Sequence, residues 1–173
     1  MKKLLIVVDF QNDFVSGALG FPGAEKLDDI ICNKISDYKM HGYDVIYTFD
    51  THKEDYMDTI EGHKLPIVHC VKGTVGHKLY GKVGSMFNED DVYFEKETFP
   101  SLELANYLKD KDYREVELCG LVSNICVLSN VVMVKSALPN AVITVDRKAT
   151  ASFDNELNDV TFKVLNGIHI EVK

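Results

Sequence analysis

The 173-residue sequence predicts an α/β fold: a mainly parallel central sheet with helices on both faces. Three observations lead there. Strand-length apolar runs alternate with helix-spaced ones along the chain. The first run, Leu4-Leu-Ile-Val-Val8, is apolar without interruption, as in a strand buried on both faces. No linker, repeat or low-complexity tract interrupts the chain, so residues 1–173 read as a single domain with Rossmann-like layering.

The elements follow in order. Between Ala24 and His41, the residues Leu27, Ile30, Ile31, Ile35 and Tyr38 fall at helical spacing, and Gly42 sits where a capping glycine belongs. Asp44 to Thr48 is the second strand. Residues 51–90 show no period and read as a long loop region, and such regions in small domains tend to carry function. Asp91 to Phe94 is a short strand and Leu102 to Lys111 a helix. Glu115 to Cys119 is a strand that runs out at Gly120. Ile125 to Leu138 is an apolar helix stopped by Pro139. Ala141 to Val145 is a strand, Phe153 to Asn166 a helix capped by Gly167, and Ile168 to Val172 the last strand.

Composition narrows the function. A net charge of -8 argues against nucleic-acid or anionic-membrane partners, which need a basic surface. No apolar run is long enough to span a bilayer. The start of the chain does not resemble an export signal, so the expected location is the cytoplasm. In that compartment Cys32, Cys70, Cys119 and Cys126 are expected as reduced thiols, and without a CxxC pair a cysteine-only zinc site is not expected. Nothing decides between a monomer and a homo-oligomer.

In parallel sheets ligands bind beyond the carboxyl ends of the strands. Asp9, Asp50 with His52, Glu95 with Lys96, and Cys126 all fall there. A cysteine in the first turn of a helix meets free N–H groups and the positive end of the helix dipole, which favour thiolate. The same N–H groups can hold an oxyanion. The alternative is a buried core cysteine. Asp9 offers a carboxylate to take the thiol proton and pass it to a leaving amine, and Lys96 a cation to stabilise the anions. Taken singly, Asp9 could be a turn residue and Lys96 a solvated charge. Cys32 and Cys119 are assigned to the core. Asp50, His52 and His69, with Glu61 and His63 between them, offer a donor set suited to zinc, or to manganese or iron. Loop histidines left in solvent are the competing explanation.

These segments resemble the isochorismatase-like cysteine hydrolases over essentially the whole chain, and among them the nicotinamidases. The resemblance rests on Asp9-Phe-Gln-Asn-Asp-Phe14, on Asp50-Thr-His52 with His69-Cys-Val-Lys-Gly73-Thr74, on Phe94-Glu-Lys96, and on Gly120-Leu-Val-Ser-Asn-Ile-Cys126-Val127. It implies a catalytic triad of Asp9, Lys96 and Cys126 and a cis peptide at Leu121-Val122. It also implies an oxyanion hole from the N–H groups of Val122 and Cys126. One divalent metal, zinc first, would be held by Asp50, His52, His69 and Glu61, with His63 as rival to Glu61, and would bind a substrate's pyridine nitrogen. Phe14 and Leu121 are the implied substrate contacts. The implied reaction is hydrolysis of nicotinamide to nicotinate and ammonia through a thioester. The alternatives are another small amide, such as an N-carbamoyl compound or a ureide, and an inert binding protein. Two departures stand out: the chain has no Trp, and Ser123 replaces the usual Thr of the nucleophile segment. Cys126 argues against vinyl-ether hydrolysis, because true isochorismatases lack this cysteine.

Overall fold

The computed structural model describes residues 2–173. Six strands, β1 (Lys3–Val8), β2 (Asp44–Asp50), β3 (Val92–Lys96), β4 (Glu115–Leu121), β5 (Val142–Ala151) and β6 (Glu171–Val172), form one sheet in the order β3-β2-β1-β4-β5-β6. Every pairing is parallel. The order reverses direction at β1, which makes the carboxyl end of the sheet beside it the natural crevice for a ligand.

Alternation along β1 shows why its run is apolar throughout. Leu4, Ile6 and Val8 face one core, with α5 (Leu102–Leu108), α6 (Leu128–Ala137) and α7 (Asn155–Gly167). Leu5 and Val7 face the other, with α1 (Asn12–Val15), α2 (Leu27–Met40) and α4 (Gly81–Met86). Cys119 is buried in this second core, and Cys32 packs partly buried against it. Helix α2 turns its Leu27, Ile31 and Ile35 inward, the stripe read from the sequence, and Gly42 adopts φ 69° just beyond it.

Four departures from expectation matter most for the site and the fold. The region 51–90 is not plain loop: it contains a 3-10 turn (Tyr56–Asp58), the short helix α3 (Ile60–Lys64) and α4. Helices this short show no period in a sequence, and α3 is set by its cap, Thr59 accepting from the Gly62 N–H. The last strand is only Glu171–Val172, because α7 runs through Gly167 and the chain then turns at His169 with φ 65°. Strand β5 runs on to Ala151, past a register shift that pairs Gly120 with Thr150. Finally, the expected helix at Ile125 begins as a wide π turn, Ser123–Val127, before α6.

Gly120 is what lets β4 lie beside β1 at this end. Its φ is 111°, and a Cβ there would stand 2.0 Å from the Val8 carbonyl oxygen. Gly120→Ala is therefore expected to cost at least about 2 kcal/mol, from strained backbone and a clash that cannot relax into a side chain. A urea titration should show a lower midpoint at unchanged slope; a midpoint equal to that of the parent protein would contradict this account.

Candidate active site

Each strand end contributes one polar group, and the register decides which. Val8 pairs with Thr48 across β1 and β2, and Asp50 pairs with Lys96 across β2 and β3. Asp9, one residue past β1, adopts φ 45° and turns its fully buried carboxylate under the rim. Thr48 Oγ1 donates to Asp9 Oδ1 at 2.6 Å, and Lys96 Nζ stands 2.6 Å from Asp9 Oδ2. Lys96 Nζ also donates to the Thr98 carbonyl at 3.1 Å, lies 3.5 Å from Asp50 Oδ1 and reaches Cys126 Sγ at 3.7 Å. The three residues read from the sequence as a triad thus meet around one ammonium group.

Burial dominates their protonation. It pushes the Cys126 thiol well above the usual cysteine range, against the opposing pull of Lys96. Desolvation of the buried sulfur and the nearby carboxylates of Asp9 and Asp50 thus oppose the thiolate that a helix start favours. Burial also raises the Asp9 carboxyl, with Lys96 opposing. For Lys96, burial favours the neutral amine, but the charge of Asp9 outweighs it and keeps the ammonium. With these shifts Cys126 favours the thiol and Lys96 the ammonium, and a thiol needs a base before it can attack.

Segment 120–127 presents the nucleophile. The Leu121-Val122 peptide is cis, as the resemblance implies. Ile125 and Val127 both donate their N–H groups to the Val122 carbonyl, at 3.0 and 3.2 Å, which closes the turn around Cys126. Ser123 Oγ donates to Asn158 Oδ1 and so ties the turn to α7. Asn130, fully buried, donates to the carbonyls of Cys126 (2.8 Å) and Phe99 (3.0 Å) and accepts from the Ser101 N–H (3.0 Å). It locks the loop after β3 against the nucleophile's turn.

Beside this group lies a second cluster. Asp50 Oδ2 is 3.1 Å from His52 Nε2 and 3.3 Å from His69 Nε2, and Glu61 Oε1 is 3.8 and 3.9 Å from the same two nitrogens. Asp50, His52 and His69 are all buried and form a set able to hold a metal ion. The spacing fits: donors around a tetrahedral ion stand about 3.3 Å apart when each lies roughly 2.0–2.1 Å from the metal. The second shell fits as well. His69 Nδ1 lies 2.7 Å from the Ile67 carbonyl, which in a neutral ring puts the proton on Nδ1 and turns the Nε2 lone pair toward Asp50. Two acceptors then face each other, an arrangement a cation resolves. Burial and the Asp50 charge raise the Glu61 carboxyl, a further sign of uncompensated negative charge. His63 is exposed on α3 and stands outside the cluster.

A cavity of about 390 Å3 opens in front of Cys126, with Val122, Asp50, His69, Glu61 and Phe14 among its walls. The edge of the Phe14 ring meets His69 at 5.7 Å. Leu121 does not line this cavity: it is fully buried in the second core, because the alternation of β4 turns it toward the helices and leaves Val122 to face the site. Sequence reasoning missed the remaining walls, among them Leu19, Phe21, Leu65, Phe99 and Phe153, since isolated apolar residues in loops carry no periodic signal. A larger groove of about 650 Å3 lies beyond Glu61, Leu65 and Phe99; it reaches His52 but not Cys126, so the smaller cavity is the one that serves the thiol.

Comparison with known proteins agrees with this geometry. A family model described as the isochorismatase domain matches residues 3–172. A Bacillus subtilis (strain 168) protein described as the uncharacterized isochorismatase family protein PncA is 32% identical over 168 residues, covering 90% of each chain. The crystal structure of nicotinamidase/pyrazinamidase PncA from Bacillus subtilis superposes with a TM-score of 0.87 at 29% identity, over 99% of each chain. N-carbamoylsarcosine amidase from Thermoplasma acidophilum superposes with a TM-score of 0.79 at 26% identity, over 100% of this chain and 96% of that one.

Gln11, inside the first motif, was not singled out in the sequence, yet it holds the two clusters together. Its fully buried side-chain amide accepts from the Asp50 N–H (2.8 Å) and donates to the Asp50 carbonyl (2.9 Å) and the His77 carbonyl (2.8 Å). Gln11→Ala should destabilise the fold by about 2 kcal/mol or more, because buried backbone groups lose their partners. Thermal melts of the variant that overlay those of the parent would refute this.

Proposed function

The chain belongs to the isochorismatase family, and from that membership and the geometry of the site we propose that it hydrolyses nicotinamide to nicotinate and ammonia. The observation that carries the reading is a thiol 3.7 Å from a lysine that is itself ion-paired to a buried carboxylate, at the floor of a cavity that also reaches the donors Asp50, His69 and Glu61.

The residues divide the work as follows. Asp9 accepts the Cys126 proton as sulfur attacks the amide carbonyl and the S–C bond forms. Lys96 keeps positive charge next to the sulfur and the carboxylate throughout. The N–H groups of Val122 and Cys126 hold the oxyanion. Asp9 then gives its proton to the amide nitrogen, the C–N bond breaks and ammonia leaves. In the second half, water attacks the thioester, with Asp9 again taking a proton. The C–S bond breaks, and the proton returns to Cys126. Phe14 forms a flat wall for the ring. Asp50, His52, His69 and Glu61 would hold a divalent ion, zinc first for two imidazoles with carboxylates and manganese or iron as rivals. Such an ion supplies a coordination position for the pyridine nitrogen.

The donor set also weighs against the main alternative, hydrolysis of an N-carbamoyl compound or ureide, which offers no ring nitrogen to such an ion. The four unpaired cysteines support a reducing compartment such as the cytoplasm. Among the described residues no helix is long and apolar enough to cross a membrane.

Cys126→Ala should lose ammonia release by a factor of about 1,000 or more while its circular dichroism is unchanged. Near-normal nicotinate formation by this variant would remove the nucleophile from Cys126. Asp9→Asn should be nearly as inactive, because an amide cannot carry the proton; a normal acyl-enzyme burst in single-turnover kinetics would contradict the base role. His52→Ala should lose bound metal by elemental analysis and show a raised KM for nicotinamide. Wild type that keeps full activity with no divalent metal present would argue for a metal-free amidase.

A further inference from the structure

The cavity in front of Cys126 changes character from floor to mouth. Its floor is polar and closed: Cys126, Val122, Asp50, His69 and Phe14 are all buried. Its mouth is aromatic and open. Phe153 is 62% exposed and Phe99 41% exposed, and Phe153 meets Phe21 edge to face at 6.3 Å between centroids. Ala18 and Gly20, on the same side, are small and exposed. A substrate must put its amide carbon at the floor, against the sulfur. The cavity of about 390 Å3 exceeds the volume of a single-ring carboxamide, and cavities of this size class enclose considerably larger ligands.

The charges in the lining are Asp50 and Glu61, both acidic and both part of the donor cluster, and the lining includes no lysine or arginine. An anionic substituent at the mouth would find no counter-charge, and the chain as a whole carries -8. An apolar substituent would cover aromatic surface now facing water.

We propose that this site takes pyridine carboxamides bearing an uncharged apolar substituent on the ring, with the substituent seated against Phe21, Phe99 and Phe153. The proposal rests on the amidohydrolase reading above and extends it to a substrate class. Selectivity follows from the same geometry: the polar floor selects the carboxamide, and the aromatic mouth selects what the ring carries.

The test compares nicotinamide with propyl-nicotinamides carrying the chain at each free ring carbon, and with the matching carboxy-substituted amides. Affinities are measured by calorimetry on Cys126→Ala as purified, and by competition for ammonia release in wild type. At least one propyl isomer should bind about 10-fold tighter than nicotinamide, and every carboxy isomer more weakly than nicotinamide. Ala18→Phe, which fills the mouth, should reduce the propyl-to-nicotinamide affinity ratio by about 10-fold, and Phe153→Ala should reduce it by about 3-fold. Wild type that hydrolyses nicotinamide while no propyl isomer outbinds it would overturn this proposal and leave the activity standing. A propyl advantage sensitive to Ala18→Phe, in a protein that hydrolyses none of these amides, would sustain the binding preference and sink the amidohydrolase reading. Equal affinities in all variants would overturn the preference.

Discussion

A lysine ammonium is among the most expensive groups to bury, and in this fold the buried Lys96 ammonium stands where the sheet changes direction. It is tolerated because the ends of four strands supply oxygen and sulfur around it: Asp9 after β1, Asp50 at the end of β2, the Thr98 carbonyl after β3, and Cys126 after β4. Removing one partner from a buried pair of this kind costs about 3–5 kcal/mol, because the other charge is left stranded. The rim is therefore tied together electrostatically as well as by its strand register. A carboxylate beside an obligatory cation stays ready to take a proton without drifting out of place.

Asp50 couples this ion-pair centre to the metal donors. Its Oδ1 faces Lys96 and its Oδ2 faces His52 and His69. Burial alone would raise its carboxyl, but hydrogen bonds from the two imidazoles in their Nε2-protonated forms and the charge of Lys96 outweigh it and hold it well below the usual carboxylate range. Asp50 thus remains an anion under all ordinary conditions, which suits both neighbours. Gln11 fixes its backbone. Asp13 fixes the second half of the donor loop by accepting from the Cys70 N–H at 2.7 Å, next to His69. A Cβ at Gly76 would stand 2.0 Å from the Asp13 carboxylate, so a side chain there would displace the group that accepts from Cys70. The first motif thus does more than carry Asp9: its Gln11 and Asp13 hold the donor loop in place, and its Phe14 forms a wall of the cavity.

This division of labour explains why the polar groups of the cavity lie together at its floor. The ion pair, the thiol and the metal donors sit under it with few groups left over, and the rest of the wall is free to be apolar. Without Trp, the chain builds its aromatic surface from phenylalanines drawn from distant segments, Phe14, Phe21, Phe99 and Phe153. Phe99 and Phe153 lie on loops, where side chains can be changed without disturbing the two cores, whereas Phe14 belongs to the second core and Phe21 packs against it.

The sequence by itself determined the parallel α/β layering, because buried strands must be apolar on both faces, as Leu4 to Val8 are, and amphipathic helices must show a stripe, as Leu27, Ile31 and Ile35 do. It also determined which chemistry-bearing residues fall at strand ends, since strand length and chain order put Asp9, Asp50, Lys96 and Cys126 there without knowledge of any contact. Tertiary structure alone decided the rest. Whether Glu61 or His63 faces the donor cluster depends on the rotation of the five-residue helix α3, which is too short to show a period. Whether Leu121 meets substrate depends on which way the end of β4 alternates. The protonation of Cys126 depends on how deeply it is buried, and a local motif that places it at a turn's N–H groups says nothing of depth. The walls Phe21, Phe99 and Phe153 come together only when segments far apart in sequence are packed, and such contacts leave no mark on any short stretch of chain.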